Sequence, residues 1–464
     1  MNSHIATTAY IAGIIGLFWL DRDGKTRVSK AVWIPALWLL IVGSRPVSTW
    51  LQSGPTISQA EQYVEGSPID AAVYGVLIVA GVIALGSRRR QVAACLRANI
   101  PLVLFFSYCG LSIVWSDYSF VALKRWTKAV GDLVMILILL TDQNSLAAIK
   151  SFLSRAAFIL LPLSVLFIKY YPDLGRSYNP WTWIPMYCGV TTFKNLLGMT
   201  CLVCGLGSLW SFAGAYRDRK MHYRIRHLTA HGIMLFMTAW LLLTANSMTS
   251  LSCFAMGGTL IVLTAQRRPE VRIRAVHILT GGLIALSLCS LFVTQTMLSS
   301  LGRDPTLTGR TAIWQVVLSQ HTNPLIGTGF ESFWMGARLE RIWQMTEKGI
   351  QEAHNGYLEI YLNLGWIGVG LLANAIIFGY RNALAIFRRN PHAGRIRLAF
   401  FTAGIIYSLT EAGFRMMSPI WITFILAITC DPPRRRKVSA QTSRSSVAQI
   451  EAPSEVVGAM RSFG

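Results

Sequence analysis

The sequence predicts an all-α, polytopic membrane protein with about 12–13 transmembrane helices and one large outer loop carrying short helices. Three observations lead there. Of 464 residues, 53% are hydrophobic and only 14% charged, a balance unlike that of soluble domains. Apolar runs of about 17–25 residues, the length a helix needs to cross a bilayer, recur along the whole chain. The short alternating segments of a membrane β-barrel do not occur.

The first run, 4–20, follows an N-terminus (MNSHIATTAY) with neither a basic stretch nor a small-residue cleavage site, and reads as an uncleaved span. Runs at 31–46, 68–86, 95–115, 129–141 and 152–170 follow. Next come 193–213, 228–246, 248–265 and 275–296. A long polar interval, 297–353, precedes the last three, 355–379, 398–413 and 418–430. Some runs are short, so twelve spans serve nearly as well as thirteen. The connections alternate in charge: 21–30, 87–90, 216–226, 266–274, 381–397 and 433–437 are basic, whereas 47–67, 171–192 and 297–353 are poor in Lys and Arg for their length. The positive-inside rule puts the basic set in the cytoplasm, the N-terminus outside and the C-terminus inside.

The net charge of +22 would suggest nucleic acid in a soluble protein. Here it is confined to loops between apolar runs, so topology accounts for it and no nucleic-acid partner is expected. Eight cysteines are scattered, mostly in apolar runs, which implies no disulfide framework. The Cys201/Cys204 pair lies inside a span, where packing explains it better than redox or zinc chemistry. Metal-ligand spacings, a phosphate-binding glycine loop and a GxSxG elbow are all missing from the sequence. No metal and no cofactor is therefore expected.

The interval 297–353 carries two amphipathic runs. Ile313, Trp314, Val317 and Leu318 recur at helical spacing after Thr308, which suits an N-cap. The segments HTNP and IGTG then break the chain, and SFWMGARLERIW forms the second run. Two short helices on the membrane surface are expected.

The informative cations are those on the outer side, among them Lys124, Arg125, Lys128, Arg176, Lys194, Arg303, Arg310, Arg338 and Arg415. They oppose the usual bias, and an anionic substrate would compensate them; head-group snorkelling or surface ion pairing is the plainer alternative. Arg310 sits at a helix start, where N–H groups and a dipole also favour phosphate, and Lys194 and Asn195 occupy a similar place. Asn355, Glu359 and Asn363 share one helix face, either lining a cavity or gluing helices together. Gly365 and Gly368 would let a neighbouring helix approach. Glu411 with Arg415, and Lys128 with Asp132, have the spacing of local ion pairs. His354, able to change charge near neutral pH, sits where the loop meets the bilayer.

His354-Asn355-x9-Gly365-x-x-Gly368 resembles the outer-loop motif of the O-antigen ligase and Wzy-type polysaccharide polymerase superfamily. Leu307-Thr308-Gly309-Arg310 with Trp314, then Asn323 to Gly329 with Phe333, extend the likeness, as does Gly189 to Gly198. The pattern is most similar to rhizobial exopolysaccharide polymerases of the succinoglycan type and covers about residues 100–430. The resemblance implies about a dozen inner-membrane spans and a periplasmic loop. The apolar runs divide the chain into 1–296 (ten spans), 297–354 (the loop, catalytic on this resemblance), 355–432 (three spans) and 433–464, whose composition reads as a disordered basic cytoplasmic tail.

The resemblance further implies transfer of a glycan from undecaprenyl diphosphate to an acceptor hydroxyl, inverting and without a metal. On that reading His354 and Arg310 are catalytic. Lys194, Asn195, Arg125, Arg303, Asn355, Glu359 and Arg415 bind substrate. His354 would take the acceptor's proton, and Arg310 would stabilise the leaving diphosphate. The partners would be the undecaprenyl-diphosphate-linked oligosaccharide, the lipid membrane, and chain-length regulator and export proteins. A polymerase is the leading expectation, a ligase joining glycan to lipid A core the alternative, and a transporter or flippase the second alternative.

Overall fold

The computed structural model describes residues 2–22, 27–51, 66–178, 183–265, 269–292, 306–346 and 349–432. Arg303 and the 433–464 tail lie outside them. In chain order the helices are α1 (Ser3–Leu20), α2 (Trp33–Val42), α3 (Pro68–Gly86), α4 (Arg89–Ala98), α5 (Ile100–Leu111), α6 (Ser119–Leu140) and α7 (Ser145–Tyr170). A two-stranded antiparallel pair follows, β1 (Arg176–Tyr178) with β2 (Pro185–Tyr187), Ser177 opposite Met186. Then come α8 (Lys194–Arg217), α9 (Arg224–Ala245), α10 (Met248–Leu263) and α11 (Pro269–Phe292). The last are α12 (Thr306–Leu318), α13 (Gly336–Met345), α14 (Gly356–Arg389), α15 (Pro391–Thr410) and α16 (Pro419–Ile428).

The chain is an all-α polytopic membrane protein. Every expected apolar run is helical. Six helices, α1, α3, α7, α8, α9 and α14, are long and apolar enough to cross a membrane unaided. The pair α4 and Ile100–Trp115, bent by 92°, is together long and apolar enough for a broken span or a re-entrant loop. The bend falls at Asn99, whose side chain is taken up by the backbone of Cys95 and Cys430. α2, α10, α16 and the 273–285 part of α11 are shorter, while α6 and α15 carry buried charges, Arg125 and Asp132 on one, Arg395 and Arg397 on the other.

α6 begins ten residues before the expected start of its run, so Lys124, Arg125 and Lys128 belong to the helix. α1 and α3 turn rows of exposed apolar side chains outward, Ile11, Ile15, Val76 and Ile83 among them, as lipid-facing helices should. α7, α8 and α15 are mostly buried and form the centre.

Contacts sort the connections into two ends. Arg45 reaches the Thr191 carbonyl, Ser116 bonds Ser332, and Arg310 pairs with Glu411. At the opposite end Asp21 meets His227, Arg88 meets Asp142, and Arg397 meets Asp431. This is the alternation of basic and less basic connections seen in the sequence.

The polar interval differs from expectation. α12 starts at Thr306, so Thr308 lies within its first turn rather than capping it. The two short helices share a small core of Val317, Phe333, Trp334, Leu339 and Ile342, packed onto Leu362 of α14. Amphipathic faces that a bare sequence assigns to a membrane surface are here buried against each other.

Gly365 also plays another part than expected. Its φ of +64° breaks α14 in the left-handed region, which glycine alone enters freely. The loop 323–329 enters that break, with a Cβ on Gly365 only 2.3 Å from the Leu325 carbonyl. The loop takes up four backbone groups at the break. Trp366 and Ile367 N–H donate to the Pro324 and Leu325 carbonyls, while Thr328 and Gly329 N–H donate to those of Leu362 and Asn363. The glycine thus admits a loop backbone, not a neighbouring helix, and helps to meet the demand that no polar backbone group be orphaned at membrane depth.

Candidate active site

The site grows from the N-terminus of α14. Asn355 caps that helix, its Oδ1 accepting from the N–H groups of Tyr357 and Leu358. The preceding residue, His354, has φ +49°, a left-handed conformation costing a non-glycine residue roughly 1–2 kcal/mol. Glu331 (φ +52°) and Met417 (φ +55°), on two other loops of the same end, share it. Such strain persists only where the surroundings hold it, and it tends to cluster at functional sites.

Those loops bring three carboxylates and several cations together. His354 Nδ1 lies 3.0 Å from Glu352 Oε1 and 3.1 Å from Glu411 Oε2. Arg310 reaches Glu411 Oε1 at 2.8 Å, and Asn195 Nδ2 approaches the same oxygen at 3.5 Å. Arg415 stands 3.5 Å from Glu331 and 3.7 Å from Glu352. Arg125, from α6, donates to the Glu331 backbone carbonyl. Glu411 and Arg415, spaced as a local pair, instead bond different partners, because residues 411–418 leave the helix.

The charges set one another's protonation. Burial pushes the His354 imidazole down, but hydrogen bonds and charge from Glu352 and Glu411 outweigh it and lift its pKa to about 10. His354 is therefore an imidazolium at neutral pH. Burial pushes Arg415 down to about 10 and Glu331 up, the latter opposed by Arg125.

Glu352, Glu411, Arg415 and Asn195 line a cleft of about 930 Å³, open to solvent, between the end of α2 and the 407–418 segment. Lys194 begins α8 beside Asn195, half-buried, and touches none of the clustered carboxylates among the described residues.

Glu359, an expected substrate-binding residue, and Asn363 on the same helix face both hold loop backbone. Glu359 accepts from Trp334 Nε1 and, at 2.5 Å, from the Ala353 N–H. Asn363 Oδ1 accepts from the Ser332 and Phe333 N–H groups. The polar face of α14 thus pins the 331–334 and 353 backbone that carries the charged residues. Asp132, expected to pair with Lys128, accepts from Trp38 and the Met417 N–H instead. Arg338 pairs with Asp117, and Arg176 binds the Ile168 carbonyl, so these outer cations are occupied elsewhere.

The sequence reading did not single out Glu331 and Glu352. For Glu352 a signal was available, since it precedes His354 by two positions. Glu352, His354 and Glu411 also bring ligand atoms within 4.8 Å of one another, as do Asp21, His227 and His231 at the opposite end. In the first group, Arg310 and Arg415 also meet the carboxylates.

Residues 232–373 match the family model Wzy_C, described as O-antigen ligase. The match holds α12, α13, Arg310, His354 and the broken part of α14. The chain is also 24% identical over 372 residues to "Exopolysaccharide production protein ExoQ" of Rhizobium meliloti (strain 1021), covering 75% of this chain and 81% of that protein. The sequence motif and the helical membrane fold agree with these two likenesses, which point to the O-antigen ligase and Wzy-type polymerase superfamily.

Proposed function

We propose that the protein is a polysaccharide polymerase of the bacterial inner membrane. It transfers a growing glycan from undecaprenyl diphosphate to a hydroxyl of a lipid-linked repeat unit, on the periplasmic side. The observation that carries this reading is the cluster of Arg310, His354 and Arg415 with three glutamates, of which Arg415, Glu352 and Glu411 line a cleft at one end of the helical bundle. The likeness to an exopolysaccharide production protein favours a polymerase; the O-antigen ligase description of the matching segment favours joining glycan to a lipid A core as the second reading.

The chemistry follows from the charges. The acceptor oxygen attacks the anomeric carbon from the face opposite the diphosphate, so the configuration inverts. As the carbon–oxygen bond to the diphosphate breaks, its electron pair leaves as negative charge on the phosphate oxygen. Arg310 has five N–H donors and, with imidazolium His354, stabilises that charge in a partly dehydrated site. Lys194, Asn195, Arg125 and Arg415 complete the substrate-facing shell. The proton lost by the hydroxyl passes to a carboxylate. Glu352 serves this role because it lines the cleft, whereas an imidazole already carrying two protons cannot. These cations supply the positive charge that other transferases draw from a metal. Proximity of the two bound lipids adds the orientation term.

The lipid-linked glycans of a strain lacking the protein test the reading. A missing polymerase leaves single repeat units on undecaprenyl diphosphate. Long lipid-linked chains in that strain would favour the ligase, and unchanged glycans would sink both.

A further inference from the structure

At the end of the bundle opposite His354, α1, α7, α8, α9 and α15 converge around a second cleft, of about 1220 Å³. Three cations line it, Arg22, Lys150 and Arg155, against one carboxylate, Asp21. That carboxylate already accepts from His227 Nδ1 at 2.7 Å and His231 Nε2 at 3.1 Å. The cleft therefore carries excess positive charge that nothing in the transfer reaction uses.

Its donors are prepared but unfilled. Lys150, Ser154 and Arg155 fall on one face of α7 and all line the cleft. Ser154 is only 4% exposed, yet its hydroxyl has no hydrogen-bond partner among the described residues. A buried helical serine ordinarily bonds the carbonyl four residues back. One terminal nitrogen of Arg155 is likewise buried and unpartnered among the described residues. The Arg155 guanidinium lies 4.1 Å over the Trp33 ring, which fixes its plane and leaves its edge for a ligand. Buried donors without partners are costly, and a tetrahedral oxyanion satisfies several at once. Phe18 and Phe158 supply an apolar wall beside the charges.

We propose that this cleft binds a phosphate ester, the head group of an anionic membrane lipid. Basic pockets between membrane helices suit such groups, and Arg with Ser and Lys supplies both planar and point donors. The inference is independent of the transfer reaction.

The test uses the full chain in phosphatidylcholine nanodiscs, with and without phosphatidylglycerol, and reads the melting temperature. Phosphatidylglycerol should raise it for the wild type and for Arg90→Gln, an exposed cation at the same end, but not for Lys150→Gln or Arg155→Gln. A rise with inorganic phosphate in pure phosphatidylcholine discs, lost in the same two variants, supports the site with soluble phosphate as the source. Equal rises in wild type and both variants, or no rise with either ligand, overturn the proposal. Native mass spectrometry of the wild type covers the case of misfolded variants. Phosphatidylglycerol should stay bound under activation that strips phosphatidylcholine, and its loss together with phosphatidylcholine overturns the proposal.

Discussion

The Nδ1 of His354 lies 3.1 Å from the Oε2 of Glu411, 57 positions further along the chain. The contact joins the matched loop to the 411–418 segment and, after the Glu352 contact, helps raise the pKa of the motif histidine. Its consequences can be measured.

The first is pH dependence. The folded pKa of His354, about 10, stands above its ordinary value of 6.5. A raised pKa means stability fully present below pH 6.5 and lost as pH rises through about 10. Melting curves of the wild type should fall across that window relative to His354→Gln. Transfer rates should not climb with a histidine titration through neutrality, because the imidazolium is the working form. A rate rising tenfold per pH unit between 6.5 and 10, with the rise kept in Glu352→Gln but levelling off at lower pH, would make His354 the base.

Glu411→Gln keeps the shape but removes the charge shared by Arg310 and His354. Transfer should drop by about 10²-fold or more, the scale of losing one preorganised electrostatic group. The protein should still reach the membrane at normal level, seen by immunoblot. Undiminished transfer would detach Glu411 from the site.

Gly365→Ala puts a Cβ into the Leu325 carbonyl at a left-handed φ. The conformation alone costs roughly 1–2 kcal/mol, and the clash adds to it, so folded yield and melting temperature should both fall. Gly370→Ala, on the same helix with nothing within 4 Å of its Cβ, should change neither.

Asn355→Ala removes a helix cap, which costs about 1 kcal/mol, and should lower stability while polymer is still made. Loss of all transfer in a stably folded Asn355→Ala protein would give Asn355 a direct hand in the reaction.

The helices were legible because apolar length alone decides what crosses a bilayer. Arg310 and His354 stood out because cations and a histidine are anomalous in a connection expected on the outer side, and the structure brings both to Glu411. The glutamates were harder to read. Glu331, Glu352 and Glu411 lie on three loops, and only tertiary folding joins them to one histidine. Asn355, Glu359 and Asn363 carried the right periodicity for a site wall. Whether such a stripe faces a cavity or a loop backbone depends on what packs against it, here residues 331–334 and 353. Gly365 was visible as a glycine, but its left-handed φ was not.

The central claim, that Arg310 and His354 carry out glycan transfer, is tested most directly by polymer size in a knockout strain complemented with His354→Ala or Arg310→Ala. The account predicts no high-molecular-weight polymer and an accumulation of lipid-linked repeat units at normal protein level. Polymer of normal size and amount from either variant would contradict it.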